Sequence, residues 1–194
     1  GFVPKGGGRI FARVEPAPIQ RFDMTKPVEV TGRRARSIIE QLRRDIAERE
    51  LAVVGRRLGL MSGELVIEQI STAPSPGNYL VVELESRDIT EVISSIGERG
   101  VRSEEVAARA AEEARRYLDR AAPIGEYLAD QLLLPLALGP GGAFLSGPPT
   151  PHTITNADLI EQFLDVEISF VDADDGCALI TVKKKGEAGP PESF

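Results

Sequence analysis

The chain holds a single histidine, His152, the one side chain whose ordinary pKa, about 6.5, lies near neutrality. It follows Pro148-Pro149-Thr150-Pro151, a proline-stiffened loop, and stands just before a stretch of helical periodicity. The start of a helix favours anions, because free backbone N–H groups and the helix dipole point there. A neutral imidazole so placed is suited to attack electrophilic phosphorus and to hold a phosphoryl or nucleotidyl group covalently. The same place suits a surface histidine donating to a loop carbonyl. Residue type and spacing leave both readings open.

A second constellation is Gly125-Glu126-Tyr127-Leu128-Ala129-Asp130-Gln131. On a helix Tyr127, Asp130 and Gln131 share one face, and Leu128 and Leu132 share another. An exposed tyrosine ring can stack on a base, and the Asp and Gln can hydrogen-bond a sugar or a purine edge. Alternatively, the tyrosine packs at a domain junction. Gly6-Gly7-Gly8 precedes a strand pattern and lacks a following Lys-Ser/Thr pair, so it is a tight turn rather than a phosphate loop. Cys177 falls in a strand pattern and reads as core. No GxSxG, HExxH or paired-histidine metal spacing occurs.

These residues need elements to position them. Arg9–Glu15 alternates apolar with polar residues and reads as a strand, as does the short run Lys26–Val30, stopped by Thr31-Gly32. Arg36–Leu58 reads as a helix with Leu42, Ile46, Ala47, Leu51, Val54 and Leu58 on one stripe, ended by Gly59. Glu64–Ile70, Tyr79–Leu84 and Glu91–Ile96 read as strands of one sheet, with turn chemistry at Pro74–Asn78. Ser103 reads as the N-cap of a helix carrying Ala107, Ala111, Ala114 and Leu118 inward. A further helix runs from Gly125 until Pro135 disturbs it, with Leu128, Leu132 and Leu136 inward. Ala143–Leu145 is a short strand. Thr155 with Asp158 resembles a capping box that opens a helix through Leu164. Val166–Val171 and Ala178–Val182 close as a hairpin.

The 194 residues carry a formal charge of −7 and 42% hydrophobic residues, enough for one or two domains with real cores. One cysteine excludes a disulfide framework and fits a reducing compartment, so a cytoplasmic location is expected. The uncharged run from Gln131 to Ala157 is broken by prolines and glycines, and no membrane partner is expected. The charge is unevenly placed. Arg33–Arg57 holds eight arginines against four acids, whereas Ala121–Val182 holds nine acids and no lysine or arginine. A phosphate-handling site in the second stretch must draw cations from a metal, from other segments or from another chain. The plainer reading makes the first stretch a solvated face and the second an acidic surface.

Three blocks in order, Gly1–Gly8, Gly125–Pro135 and His152–Asn156, together resemble the RNA 3′-terminal phosphate cyclase family, and Asp45–Leu51 is similar to that family's inserted domain. The resemblance implies an α+β fold, a cyclase-type core of repeated αβ units present here in part. Residues 1–16 and 123–184 would belong to that core, 17–122 to a smaller inserted α+β domain and 185–194 to a disordered tail. It implies ATP-dependent conversion of an RNA 3′-terminal phosphate to a 2′,3′-cyclic phosphodiester through a histidine–AMP intermediate. His152 takes the nucleophile's place, and Tyr127, Leu128, Ala129, Asp130 and Gln131 take that of the nucleotide-binding motif. ATP and a divalent metal, Mg or Mn, are the implied cofactors, with metal ligands that the motifs do not identify. The implied partners are an RNA 3′-phosphate end and an N-terminal cyclase region that this chain lacks, or self-association in its place. The alternative is a non-catalytic RNA-binding or assembly module of the same ancestry, contacting RNA through Arg33–Arg57.

Overall fold

In the computed structural model, which describes residues 1–120 and 122–186, strands and helices follow one another as β1 (Phe22–Met24), β2 (Val30–Glu40), α1 (Arg44–Leu58), β3 (Leu65–Ile70), β4 (Gly77–Ser86), β5 (Thr90–Ile96), α2 (Ser103–Asp119), α3 (Glu126–Leu138), β6 (Gly142–Ser146), α4 (Pro151–Phe163), β7 (Val166–Asp172) and β8 (Ala178–Lys184). They form two units of the α+β class, each with one mixed four-stranded sheet. The first comprises Gly1–Val14 and Glu29–Asp119; the second comprises Glu15–Val28 and the described residues from Arg120 onward. The expected tail from 187 on lies outside the described residues.

In the first unit the sheet order is β3-β2-β4-β5, with β2 and β3 parallel and the other pairs antiparallel. Helix α1 supplies the crossover between β2 and β3 that a parallel pair requires. It packs on both strands, α2 packs on β4 and β5, and the two helices lie against each other. Ala35, Leu80, Val82, Leu84 and Ile93 from the sheet meet Leu51, Val54, Leu58, Ala107, Ala111 and Ala114 from the helices. Gly59 ends α1 at φ 67°, the left-handed conformation that favours glycine.

Two readings of this region need correcting. Residues 36–40, expected to open a helix, are the end of an eleven-residue strand that also runs through Thr31-Gly32 with an irregularity there. The helix starts only at Arg44. β3, β4 and β5 do share one sheet, as expected, with β2 lying between β3 and β4. And Arg9–Glu15 forms no strand; Ile10, Phe11 and Val14 are exposed. An alternating sequence supplies faces, but a strand also needs a neighbouring strand for its backbone groups, and no sheet among the described residues includes this segment.

The second unit has the order β1-β6-β8-β7. The hairpin β7–β8 pairs from Val166↔Lys184 to Asp172↔Ala178, close to its expected extent. β1 pairs in parallel with β6, Phe22 opposite Gly142 and Met24 opposite Phe144, and Asp23 accepts from the Ala143 N–H at 3.0 Å. These bonds place residues 15–28 with the second unit, where the sequence reading had put 17–122 together. Residues 1–14 group with the first. Phe144, Ile180, Val182, Ile168, Leu133 and Ile160 are buried between this sheet and the helices α3 and α4.

Candidate functional site

Helix α3 follows the extended Gly125 and runs through Pro135 to Leu138. Pro135 lacks an N–H, so the carbonyl of Gln131 has no helix donor four residues on; near the C-terminus this does not end the helix. The buried side is Ala129, Leu133, Leu136 and Ala137, whereas Leu128 and Leu132, expected inward, are half-buried. The helix is thus turned slightly from the expected orientation. Tyr127, 66% exposed, and Gln131 face out, with Asp130 half-buried beside them. The predicted open face is present. Ala129 is inside and serves packing.

Helix α4 opens five residues earlier than expected. Its N-cap is Thr150, not Thr155, and Pro151 occupies the first turn, where a missing N–H costs nothing. Thr150 Oγ1 accepts from the Thr153 N–H at 3.1 Å, its hydroxyl meets that of Thr153 at 2.9 Å, and its carbonyl accepts from Ile154 N–H at 3.1 Å. His152 therefore lies on the helix rather than in the preceding loop, and it is exposed. Because Pro151 has no donor and Thr153 and Ile154 are engaged, the amide of His152 itself is what this first turn leaves for an anion. That is fewer donors than a bare helix N-terminus offers.

The two motifs meet. Asn156 donates through Nδ2 to Asp130 at both the backbone oxygen (3.2 Å) and the carboxylate Oδ1 (2.9 Å). Asn156 is four residues after His152, so both lie on one side of α4. A second link involves Arg120, which ion-pairs with Glu126 in the first turn of α3 at 2.9 Å. The same guanidinium lies over Gly147, in the loop leading to α4, where a Cβ would stand 3.0 Å from Nη1. Sequence reasoning missed both residues. Asn156 stood in a quoted motif without a role, because a helix capped at Thr155 makes it the first helical residue and leaves His152 off the helix. Arg120 lies one residue outside the cation-free stretch.

The cations of this unit are largely engaged: Arg120 with Glu126, Lys183 with Glu167 at 3.3 Å, and Lys184 with the carbonyl of Ala137 at 2.9 Å. Among the described residues no three His, Cys, Asp or Glu side chains gather as a metal site. In the other unit, Arg36, Arg43, Arg44 and Arg49 are each paired with carboxylates. Four of the eight arginines of the basic stretch are therefore neutralised locally. Among the described residues no helix is long and apolar enough to cross a membrane.

Comparison with known proteins adds to this geometry. A family model described as RNA 3′-terminal phosphate cyclase matches residues 1–170. The chain is 39% identical over 168 residues to an RNA 3′-terminal phosphate cyclase of Ectopseudomonas mendocina, covering 87% of this chain and 49% of that protein. It is 35% identical over 190 residues to one of Koribacter versatilis, covering 97% and 53%. To one of Ralstonia nicotianae it is 37% identical over 185 residues, covering 94% and 52%. The chain spans about half the length of the curated relatives it matches.

Proposed function

We propose a function from one premise: the chain belongs to the RNA 3′-terminal phosphate cyclase family. Its second unit carries the nucleophile and the nucleoside-binding face of an ATP-dependent enzyme that closes an RNA 3′-phosphate into a 2′,3′-cyclic phosphodiester. The observation that carries this reading is the Asn156–Asp130 link, which draws the helix bearing His152 onto the helix bearing Tyr127, Asp130 and Gln131. Tyr127 stacks on the adenine, and Asp130 and Gln131 bond the ribose or the purine edge. Leu128 and Ala129 hold the helix against its neighbours.

An imidazole nitrogen of His152 attacks the α-phosphorus of ATP; an N–P bond forms and the P–O bond to pyrophosphate breaks. A terminal RNA phosphate oxygen then takes the AMP, freeing the imidazole. The adjacent 2′-hydroxyl attacks the activated 3′-phosphorus, loses its proton and expels AMP. Charge built up in these steps needs cations. A divalent metal, Mg or Mn, would supply Lewis-acid stabilisation, and further basic groups come from the remainder of the enzyme. The cytoplasm is the compartment that goes with this reading. Incubating the complete protein with α-labelled ATP should leave acid-labile label on His152; an unlabelled wild type would sink the proposal.

The helices also point to what completes the site. Leu134 and Leu138, apart from Tyr127, leave apolar surface exposed on α3, and Leu159 and Phe163 do so on α4, Phe163 at 80% exposure. Contiguous apolar surface of this kind marks an interaction face. In a chain half the length of its relatives, the cyclase region not included here is the occupant we propose. The isolated chain should then self-associate and bind ANS, and Leu159→Lys with Phe163→Ser should shift it towards monomer by light scattering. A monodisperse wild-type chain that binds no dye would count against this.

A further inference from the structure

Among the described residues, Asn156 is the polar side chain that joins the two motif helices, and its bonding is specific in kind. An asparagine amide has two N–H donors on one nitrogen. Here Nδ2 is directed at two acceptors of a single residue, the backbone oxygen and one carboxylate oxygen of Asp130. Holding both fixes the plane of the carboxylate relative to the backbone of α3. The other oxygen, Oδ2, makes no bond to a described residue. Asn156 is half-buried, unlike the exposed His152 one turn earlier, so it sits at the seam and not at the reacting surface. Aspartate in its place would set two carboxylates against each other, and a shorter side chain would leave the seam without donors.

Resting on the cyclase reading above, we propose that Asn156 is a positioning residue: it aims the free oxygen of Asp130 at the ribose and sets the distance between the bound nucleotide and His152. Its effect passes through Asp130. A misplacement of about 1 Å between reacting groups can cost on the order of 100-fold in rate. The seam sits one helical turn from the nucleophile, so a slip of α4 along α3 is read directly as misplacement of the imidazole.

The test is a double-mutant cycle on the complete protein with Asn156→Ala, Asp130→Ala and both together. Two readouts are taken, AMP affinity by equilibrium titration and the rate of labelling at saturating α-labelled ATP. Asn156→Ala should weaken AMP several-fold and slow labelling by about 10- to 100-fold. In the Asp130→Ala background the same change should cost several-fold less than in the wild type, because only the bond to the backbone oxygen of residue 130 then remains to be lost. Asn156→Asp should be at least as damaging as Asn156→Ala, although its volume is nearly conserved. An Asn156→Ala protein that binds AMP and labels as the wild type does overturns the proposal. So does an effect of full size in the Asp130→Ala background, which would mean that Asn156 merely supports the fold. A wild type that takes no label overturns the cyclase reading, and this proposal with it; a labelled wild type with an indifferent Asn156→Ala overturns this proposal alone.

Discussion

Replacing His152 with alanine should remove adenylation from the complete protein, by at least about three orders of magnitude, and leave its melting temperature where it was. The two halves of this result have separate causes. The imidazole is the only side chain of this unit able to act as a neutral nitrogen nucleophile near pH 7. Removing it removes the atom that bonds to phosphorus, and neighbouring groups cannot substitute at comparable rate. The ring is exposed and makes no hydrogen bond to a described residue, and alanine is the best helix former at such a position. The change in stability should therefore stay within about 0.5 kcal/mol. Label counting and a thermal scan on the same preparation check both halves. Retention of label by His152→Ala would assign the nucleophile elsewhere. Base-labile, acid-stable label would point to an ester, not an N–P bond.

Much of this arrangement could be read from local sequence, and the failures share a cause. The hairpin β7–β8, the strand β4, the end of α1 at Gly59 and the open face of α3 all depend on residues close in sequence, so alternation, helical spacing and capping chemistry find them. β2 failed because its inward side carries Ser37 between Ala35 and Ile39. A buried serine looks polar until Glu50, thirteen residues on, is known to accept its hydrogen bond. The strand expected at Arg9–Glu15 failed in the opposite way, since the pattern is right but pairing is a property of a partner. For α4, Thr150-Pro151 and Thr155 are both acceptable starts; choosing the second hid Asn156. The outward face of α3 could be read residue by residue, whereas His152 stood out by residue type alone and its place on a helix did not. The bond that unites them depends on α4 beginning before His152, which local rules did not choose.

Glu50 should give the largest stability effect, and its pH dependence is the sharper measurement. Its side chain is fully buried on α1, accepting from Ser37 Oγ at 2.7 Å and from the Asn78 amide. Alanine there would strand both donors in a dry core and leave a void, at a cost of about 2–4 kcal/mol. Glutamine fits the same space, accepting from Asn78 through Oε1 and donating to Ser37 through Nε2. Burial pushes the Glu50 carboxyl pKa up from 4.5, against the opposing pull of Ser37, Asn78 and Arg49. The folded state thus binds its proton more tightly than the unfolded chain does. The stability due to this group is fully present below the unfolded pKa and is lost as pH rises through the raised folded value. Glu50→Gln should match the wild type in acid and become progressively the more stable protein as pH rises above 4.5. Hydrogen exchange of the β2 and β4 amides reads this locally in the intact chain, since Ser37 and Asn78 lie on those strands. A wild-type advantage that grows with pH would show that the two donors and the Arg49 charge outweigh burial, and that Glu50 is held as a stabilising buried charge.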